Sequence, residues 1–320
     1  MYDFNILDYK KGDQVTDVFL VKEKKEEVAR NGKNYLSITL SNMHGNCNAK
    51  VWNATEQISE IFDNKVVMIK GKIDEFNGTK QIIISNQRVP SEDQYEINKL
   101  IKSSKFNEVD MWNYIYDTIV NEVEEEEYKQ VTLYLLDKYK DEYMIMGAAK
   151  VNHHNYSHGL LEHNYCILKA AKFMAEMYSS NLNKSRLYCG AILHDIGKII
   201  ELHDCQHGVI DDFTTEGHLL GHLVIGVQEI SKACMALRNN GISISDKTEM
   251  LLSHIIISHH SEPDFGSPRR PSLKEAELIY RLDSIDCFMQ IFDNVIDKLE
   301  SNKVSDRQYN LGGRIIAKFD

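Results

Sequence analysis

Residues 191–200 read AILHDIGKII. Six apolar residues, Ala191 and Ile192 at the start among them, describe a buried element, yet a histidine, an aspartate and a lysine stand inside it. A buried aspartate without a counter-charge is costly. The stretch therefore asks for a cation, and its surroundings say where the other groups around that cation come from. Adjacent helical residues point about 100° apart, so His194 and Asp195 reach one ion only from beside or at the end of a helix. An imidazole nitrogen next to a carboxylate that can bridge two cations suits Mn, Fe, Co, Ni or Zn better than Ca.

Outward from this stretch, histidines recur. The chain has thirteen, twelve of them beyond residue 90. Leu160-Leu161-Glu162-His163 ends an apolar stripe with a histidine. His218 and His222 are four apart, which predicts one helical face. Ser258-His259-His260 closes the apolar run that begins at Leu251 and contains His254, while Leu282-Asp283-Ser284-Ile285-Asp286 sets a carboxylate in an apolar helix. Lys198 lies three residues past Asp195, about one turn on, where an ammonium meets a phosphate oxygen or balances carboxylate charge.

His163, His194-Asp195 and Asp283 form the H…HD…D signature, and with HDIGK they resemble the HD-domain metal-dependent phosphohydrolases. That resemblance implies a helical bundle around the metal. His222 and His259-His260 resemble the HD enzymes that hold two ions. By that likeness His163, His194, Asp195 and Asp283 bind the first, and Asp195 bridges to a second held by His222 and His259, with His260 and His254 in reserve. His153, His154 and His218 are expected behind the ligands or facing substrate. Asp195 and Lys198 are the expected catalytic groups.

The first 90 residues have a different period. Short runs rich in Val, Ile and Thr begin at Asp17, Asn34, Cys47, Lys65 and Lys80, with turns expected at Asn31-Gly32-Lys33, His44-Gly45-Asn46 and Asn77-Gly78. A helical insert from Asn53 separates the third run from the fourth. Five strands with a helix in that place is the pattern of the OB-fold, a small closed Greek-key barrel. Tyr35, Trp52 and Phe76 are candidate stacking platforms, and Lys33, Lys50, Lys70, Lys72 and Lys80 are candidates to follow phosphates. The fold class is thus a β barrel followed by an all-α part. The expected division is 1–90 for the OB-fold, 91–150 for a helical connector packing on the HD domain, and 151–320 for the HD domain, helical to the C-terminus. The run Glu124–Glu127 is expected to be a solvated face or helix end.

Barrel and bundle together resemble the bacterial YhaM-type 3′-to-5′ exoribonucleases over nearly all 320 residues. Asn34-Tyr35-Leu36, Ala49-Lys50-Val51-Trp52, Gly159–His163, Gly221-His222, Ser258-His259-His260 and Phe265-Gly266-Ser267-Pro268 carry the likeness. Two departures stand out. The first hairpin reads Ser41-Asn42-Met43-His44-Gly45, without the family's acidic residue and Thr/Ser before Gly, and Ser261 replaces the Gly that follows the SHH motif. The likeness implies 3′-5′ hydrolysis of single-stranded RNA, with single-stranded DNA as a further substrate, by two divalent ions, Mn(2+) first. The rival readings are an HD phosphohydrolase of a small nucleotide with a regulatory barrel, and a nucleic-acid-binding protein without catalysis.

Composition sets outer limits. Net charge is −11, unevenly spread. Residues 1–90 carry 13 basic and 12 acidic side chains, residues 91–150 carry 7 and 14, and residues 151–320 carry 17 and 22. That speaks against a strong, indiscriminate nucleic-acid binder but not against a local binding face. The six cysteines form no CxxC pair, so buried reduced thiols are expected rather than a zinc ribbon or a disulfide framework. No apolar run approaches the roughly 20 residues of a membrane span, and the N-terminus lacks the pattern of a secretory signal. A cytoplasmic protein that does not engage membranes is expected; the sequence leaves oligomerisation open.

Overall fold

Strand alternation is the first feature to take shape. The structure, a computed structural model, describes residues 4–29, 32–76, 78–96, 99–150, 154–206 and 208–319. It divides into two compact units, Met1–Ser103 and Ser104–Asp320.

In the first unit, β1 (Gln14–Val28), β2 (Asn34–Asn42), β3 (Gly45–Trp52), β4 (Val66–Phe76) and β5 (Thr79–Arg88) close a barrel in the order β1-β2-β3-β5-β4. β3 and β5 pair in parallel and the other neighbours antiparallel. α1 (Glu56–Ile61) joins β3 to β4, and Thr55 caps it through Ile58 N–H. The register explains the closure. β1 gives its first half to β4 and its second half to β2, with an irregularity between Val21 and Glu23 where the strand bends. Leu36, Ile38 and Leu40 alternate inward with Ala49, Val51, Ile69, Ile73, Ile82 and Ile84, which fill the barrel. Gly45 and Gly78 take positive φ at their turns. Asn31 and Asn77, the other expected turn residues, lie outside the described residues.

The second unit begins with α2 (Glu108–Glu122), α3 (Glu126–Lys138) and α4 (Lys140–Ile145). It continues with α5 (Gly159–Met177), α6 (Lys184–Leu193), α7 (Lys198–Glu201), α8 (Thr215–Asn239), α9 (Asp246–Ser258) and α10 (Lys274–Ile296). Met111, Trp112, Ile115 and Ile119 do share one buried face of α2, and they join one core with Leu160 and Leu168 of α5 and Leu187 and Ile192 of α6. The run Glu124–Glu127 does more than face solvent. Ser185 Oγ accepts from the N–H groups of Glu124 and Glu125, and Glu127 accepts from Ser245 and Thr248 at the start of α9. The five cysteines whose side chains are described form no disulfide.

Residues 151–320 are not helical throughout. β6 (Leu202–Gln206) and β7 (Val209–Phe213) form an antiparallel hairpin directly after α7, turned at Gly208 with positive φ, and a two-residue pair, β8 (Lys303–Val304) and β9 (Ala317–Lys318), lies near the C-terminus. The hairpin's strands are five residues long and interrupted by register shifts, too short for a clear two-residue period.

Glu229 ties α8 to α3. Its carboxylate is 1% exposed and accepts from Lys138 Nζ at 2.7 Å, Tyr139 OH at 2.6 Å and Lys232 Nζ at 2.7 Å. Burial pushes this carboxyl up, but the three donors outweigh it and hold it at about 2, below the ordinary glutamate value of 4.5. A carboxylate with a depressed folded-state value stabilises the fold above about pH 4.5 and loses that contribution as pH falls toward 2. Glu229→Gln is expected to cost about 1–3 kcal/mol at pH 7, and the gap from wild type should narrow by pH 3.5. Urea unfolding midpoints at both pH values check this; a gap independent of pH contradicts it.

Candidate metal centre and nucleic-acid face

The helix that carries the HD pair ends at the pair itself. α6 is buried along nearly its whole length, and His194 is its C-terminal cap. The chain then turns through Asp195–Gly197 before α7 starts at Lys198. Both side chains therefore leave from a helix end, the place from which adjacent residues reach one point. His194 Nδ1 folds back onto Ala191 O at 2.9 Å, which turns Nε2 inward. His163 comes from the first turns of α5, Asp283 from the middle of α10, and His259 from the C-terminal cap of α9.

His222 arrives by another route. α8 is broken at Gly221, whose φ of 70° and ψ of 157° are not helical. The expectation that His218 and His222 share a helical face is therefore wrong: the break rotates one away from the other. His218 lies exposed near Asp212 and the Phe213 ring, while His222 turns into the cluster.

Two sets of donor atoms meet at Asp195, which is 1% exposed. In the first, His163 Nε2 lies 3.2 Å from His194 Nε2, 3.4 Å from Asp195 Oδ2 and 3.3 Å from Asp283 Oδ1, and His194 Nε2 lies 3.4 Å from Asp195 Oδ2. In the second, Asp195 Oδ1 lies 3.7 Å from His222 Nε2 and 3.5 Å from His259 Nε2. Ligand atoms held about 2.0–2.2 Å from one transition-metal ion stand roughly 3.0–3.6 Å from one another. Asp195 Oδ1, His222 Nε2 and His259 Nε2 are buried atoms with no hydrogen-bond partner. Three orphaned acceptors aimed at one another fit a cation and little else. His260 joins the second set, its ring 4.2 Å from that of His259 and 5.0 Å from that of His222.

What holds these rings is as consistent as the rings themselves. His259 Nδ1 points at Ile256 O at 2.8 Å. His163 Nδ1 meets Asp286 Oδ2 at 2.8 Å, and His222 Nδ1 meets Glu201 Oε1 at 3.0 Å. Each Nδ1 faces an acceptor, an arrangement that favours a proton there and offers the Nε2 lone pair to a metal. Asp286 and Glu201 hold these rings, and sequence reasoning missed both. Only the spacing of Asp286, three past Asp283 on the same helix, hinted at the first. His154 stands behind Asp286, with Nε2 2.7 Å from Oδ2 and the Tyr156 hydroxyl 2.8 Å from its Nδ1.

Electrostatics agree with the geometry. Burial alone would lower the His163 value, but Asp195, Asp283 and Asp286 together raise it well above the ordinary imidazole range. The negative potential that draws a proton there also draws a divalent cation. Burial pushes the Asp195 carboxyl up, yet Lys198 and His194 hold it well below the carboxylate range. His259, buried and facing His260 and His194, is pushed down to about 3 and stays neutral, as a ligand must. Lys198 Nζ pairs with Asp195 Oδ2 at 2.7 Å, so it balances site charge instead of reaching solvent.

His254, the other reserve ligand, is not brought to the centre. Its Nε2 accepts the Ser272 N–H at 2.9 Å, five residues of helix having turned it away from His259. His153 lies outside the described residues.

The barrel carries the second set of expected residues. Tyr35 of β2 and Trp52 of β3 are register partners with ring centroids 4.8 Å apart. Lys50 Nζ lies 5.0 Å from the Tyr35 ring centroid, 5.6 Å from that of Trp52 and 5.6 Å from that of Phe76. Trp52 is 46% and Phe76 61% exposed, so these rings are outside the core and open to a ligand. Lys70 and Lys72 are exposed on the outer face of β4. Lys80 is engaged elsewhere: its Nζ donates to Leu7 O at 3.0 Å and Ile6 O at 3.3 Å, fastening the N-terminal segment.

Comparison with known proteins places both units. Residues 160–287 match the HD domain family and residues 18–89 the family of OB-fold nucleic acid binding domains. The chain is 33% identical over 315 residues to the 3′-5′ exoribonuclease YhaM of Geobacillus sp., covering 98% of this chain and 94% of that one. It is 33% identical over 305 residues to YhaM of Halalkalibacterium halodurans, at 94% and 92% coverage, and 32% identical over 309 residues to YhaM of Bacillus licheniformis, at 96% and 95%. Among solved structures, the mitochondrial single-stranded DNA binding protein Rim1 of S. cerevisiae matches 25% of this chain and 94% of its own, at 16% identity and a TM-score of 0.21. No helix among the described residues is long and apolar enough to cross a membrane. With an HD domain, an OB-fold and relatives of this identity along nearly its whole length, the chain belongs to the YhaM family of 3′-5′ exoribonucleases.

Proposed function

We propose that this protein is a cytoplasmic 3′-5′ exoribonuclease that shortens single-stranded RNA, and also single-stranded DNA, to nucleoside monophosphates. The observation that carries this reading is the sharing of Asp195 between two converging sets of donors. His163, His194, Asp195 and Asp283 would hold one divalent ion, and Asp195, His222 and His259, with His260 beside them, a second. Mn(2+) is the preferred ion, and the same nitrogen and oxygen donors also suit Fe, Co, Ni or Zn. Such ions supply Lewis acidity toward a phosphoryl oxygen and a water nucleophile at neutral pH. The protein's own share is to fix the donors before substrate arrives. Lys198 offers its ammonium to a phosphate oxygen while Asp195 keeps it charged. We assign the division of labour as residues 1–90 for holding the strand, 91–150 for supporting the bundle, and 151–320 for cleavage.

Incubation with Mn(2+) and 5′-end-labelled single-stranded RNA is expected to give a ladder shortened from the 3′ end. Intact RNA alongside hydrolysis of a small nucleotide would support the rival phosphohydrolase instead. On the barrel, Tyr35, Trp52 and Phe76 are proposed to stack bases, with Lys50 and Lys72 near phosphates. Stacking contributes about 1–3 kcal/mol per base. Trp52→Ala is therefore expected to weaken single-stranded RNA binding by roughly 10- to 100-fold in a filter assay, with hydrolysis of a short chromogenic diester unchanged. Unaltered binding would remove the aromatic face from the strand path.

A further inference from the structure

The four imidazoles that turn Nε2 toward the centre are held in two different ways. His194 and His259 rest on backbone carbonyls three residues back, Ala191 O and Ile256 O, so their own helix ends orient them. His163 and His222 rest on carboxylates from other elements, Asp286 and Glu201. Each donor set thus contains one ring fixed by its own backbone and one fixed by a remote carboxylate.

Glu201 holds more than a ring. Gly221 breaks α8, so the helix restarts at His222 with a backbone N–H that has lost its helical acceptor. Glu201 Oε1 takes that N–H at 2.9 Å and the Nδ1 of the same residue at 3.0 Å. Glu201 is itself immobilised. Its carbonyl accepts from Thr214 N–H at 2.9 Å, clamping the two ends of the β6–β7 hairpin, and a Cβ on Gly217 would lie 2.2 Å from it. One oxygen atom therefore sets both where His222 begins and which way its ring faces.

We propose that Glu201 is the positioning residue of the second half of the centre: by taking both donors of His222 it fixes the tautomer and direction of that ring and so decides whether the second ion binds. This rests on the two-ion reading above. Loss of a carboxylate behind a metal-bound histidine typically lowers metal affinity 10- to 100-fold. The loss here should be confined to one of two ions, because His163, His194 and Asp283 do not touch Glu201.

The experiment is Mn(2+) titration of the metal-stripped full-length protein by calorimetry, with histidine tautomers read by nitrogen-15 NMR. Wild type is expected to take up two ions and to show His222 protonated at Nδ1 and bare at Nε2. In Glu201→Ala the weaker binding event should fall 10- to 100-fold with the other unchanged, and His222 should populate both tautomers. Glu201→Gln keeps an oxygen able to accept both N–H groups, so it should retain two ions with less than tenfold loss. Two ions at wild-type affinity in Glu201→Ala, or His222 protonated at Nε2 in wild type, overturns the proposal. If the alanine variant does not fold, the glutamine variant and the wild-type tautomer decide it. A wild-type protein that takes up a single ion overturns the two-ion reading, whereas the tautomer still decides the tether by itself.

Discussion

Replacing Asp195 by asparagine is expected to lower RNA hydrolysis by roughly a thousandfold or more, about 4 kcal/mol of barrier, and to remove bound metal from both halves of the centre. An amide has one acceptor oxygen and no charge. It cannot face His163 and His194 with one oxygen and His222 and His259 with another, as the carboxylate does. It also leaves Lys198 without its partner. The effect should exceed that of removing any single histidine, because each histidine serves one donor set only. Metal content by mass spectrometry and release of labelled monophosphate check this together, with circular dichroism to show that the variant folds. His254→Ala is the matching control: its imidazole accepts from Ser272 N–H, away from the donors, and its activity should stay near wild type. An asparagine variant that keeps its metal and its turnover would remove Asp195 from the centre of the site.

The features legible in the sequence were those with a short period or a chemical contradiction. The barrel strands announce themselves by alternation and by glycines at their turns, and in the structure Leu36, Ile38 and Leu40 of β2 share the inner face. His194 and Asp195 stand out because polar groups in an apolar run demand an explanation. Glu201 and Asp286 were hidden for the opposite reason. A carboxylate on a helix is ordinarily a solvated one, and what sets these two apart is a histidine partner 21 or 123 residues away. The break at Gly221 was equally silent, since a glycine at the seventh position of a helix reads as a mild weakening rather than a change of direction. The hairpin after α7 and the engagement of Lys80 with the N-terminal segment depend on tertiary contacts that no local period encodes.

Gly197, the one residue of HDIGK without a side chain, gives the second large effect. Its backbone is ordinary right-handed helix, φ −65° and ψ −21°, so no conformational need excludes alanine. The need is space. A Cβ at Gly197 would lie 2.1 Å from His222 O and 2.7 Å from Gly226 N, both backbone atoms that no rotamer change can move. The turn after Asp195 thus lies directly against the restarted half of α8, and alanine must push that half away with His222 on it. Overpacking of this kind costs about 1–3 kcal/mol and more where the backbone must shift, and in a unit of this size each kcal/mol lowers the melting temperature by roughly 2–4 °C. Gly197→Ala is therefore expected to melt about 5–10 °C below wild type. It should also lose activity by roughly 100-fold, since a displacement near 1 Å has that consequence in a preorganised site. Gly221→Ala separates the two causes. Beyond its own stretch of chain, the nearest atom to its added Cβ is Glu201 Oε1 at 3.8 Å, so its cost is backbone strain at positive φ, about 1–3 kcal/mol, without the collision. Melting curves with and without Mn(2+) distinguish the variants: added ion should recover Gly221→Ala more fully, because its donors can still close on the metal. A Gly197→Ala protein that melts within 2 °C of wild type and cleaves at full rate would mean that α8 yields to the turn without carrying His222 along.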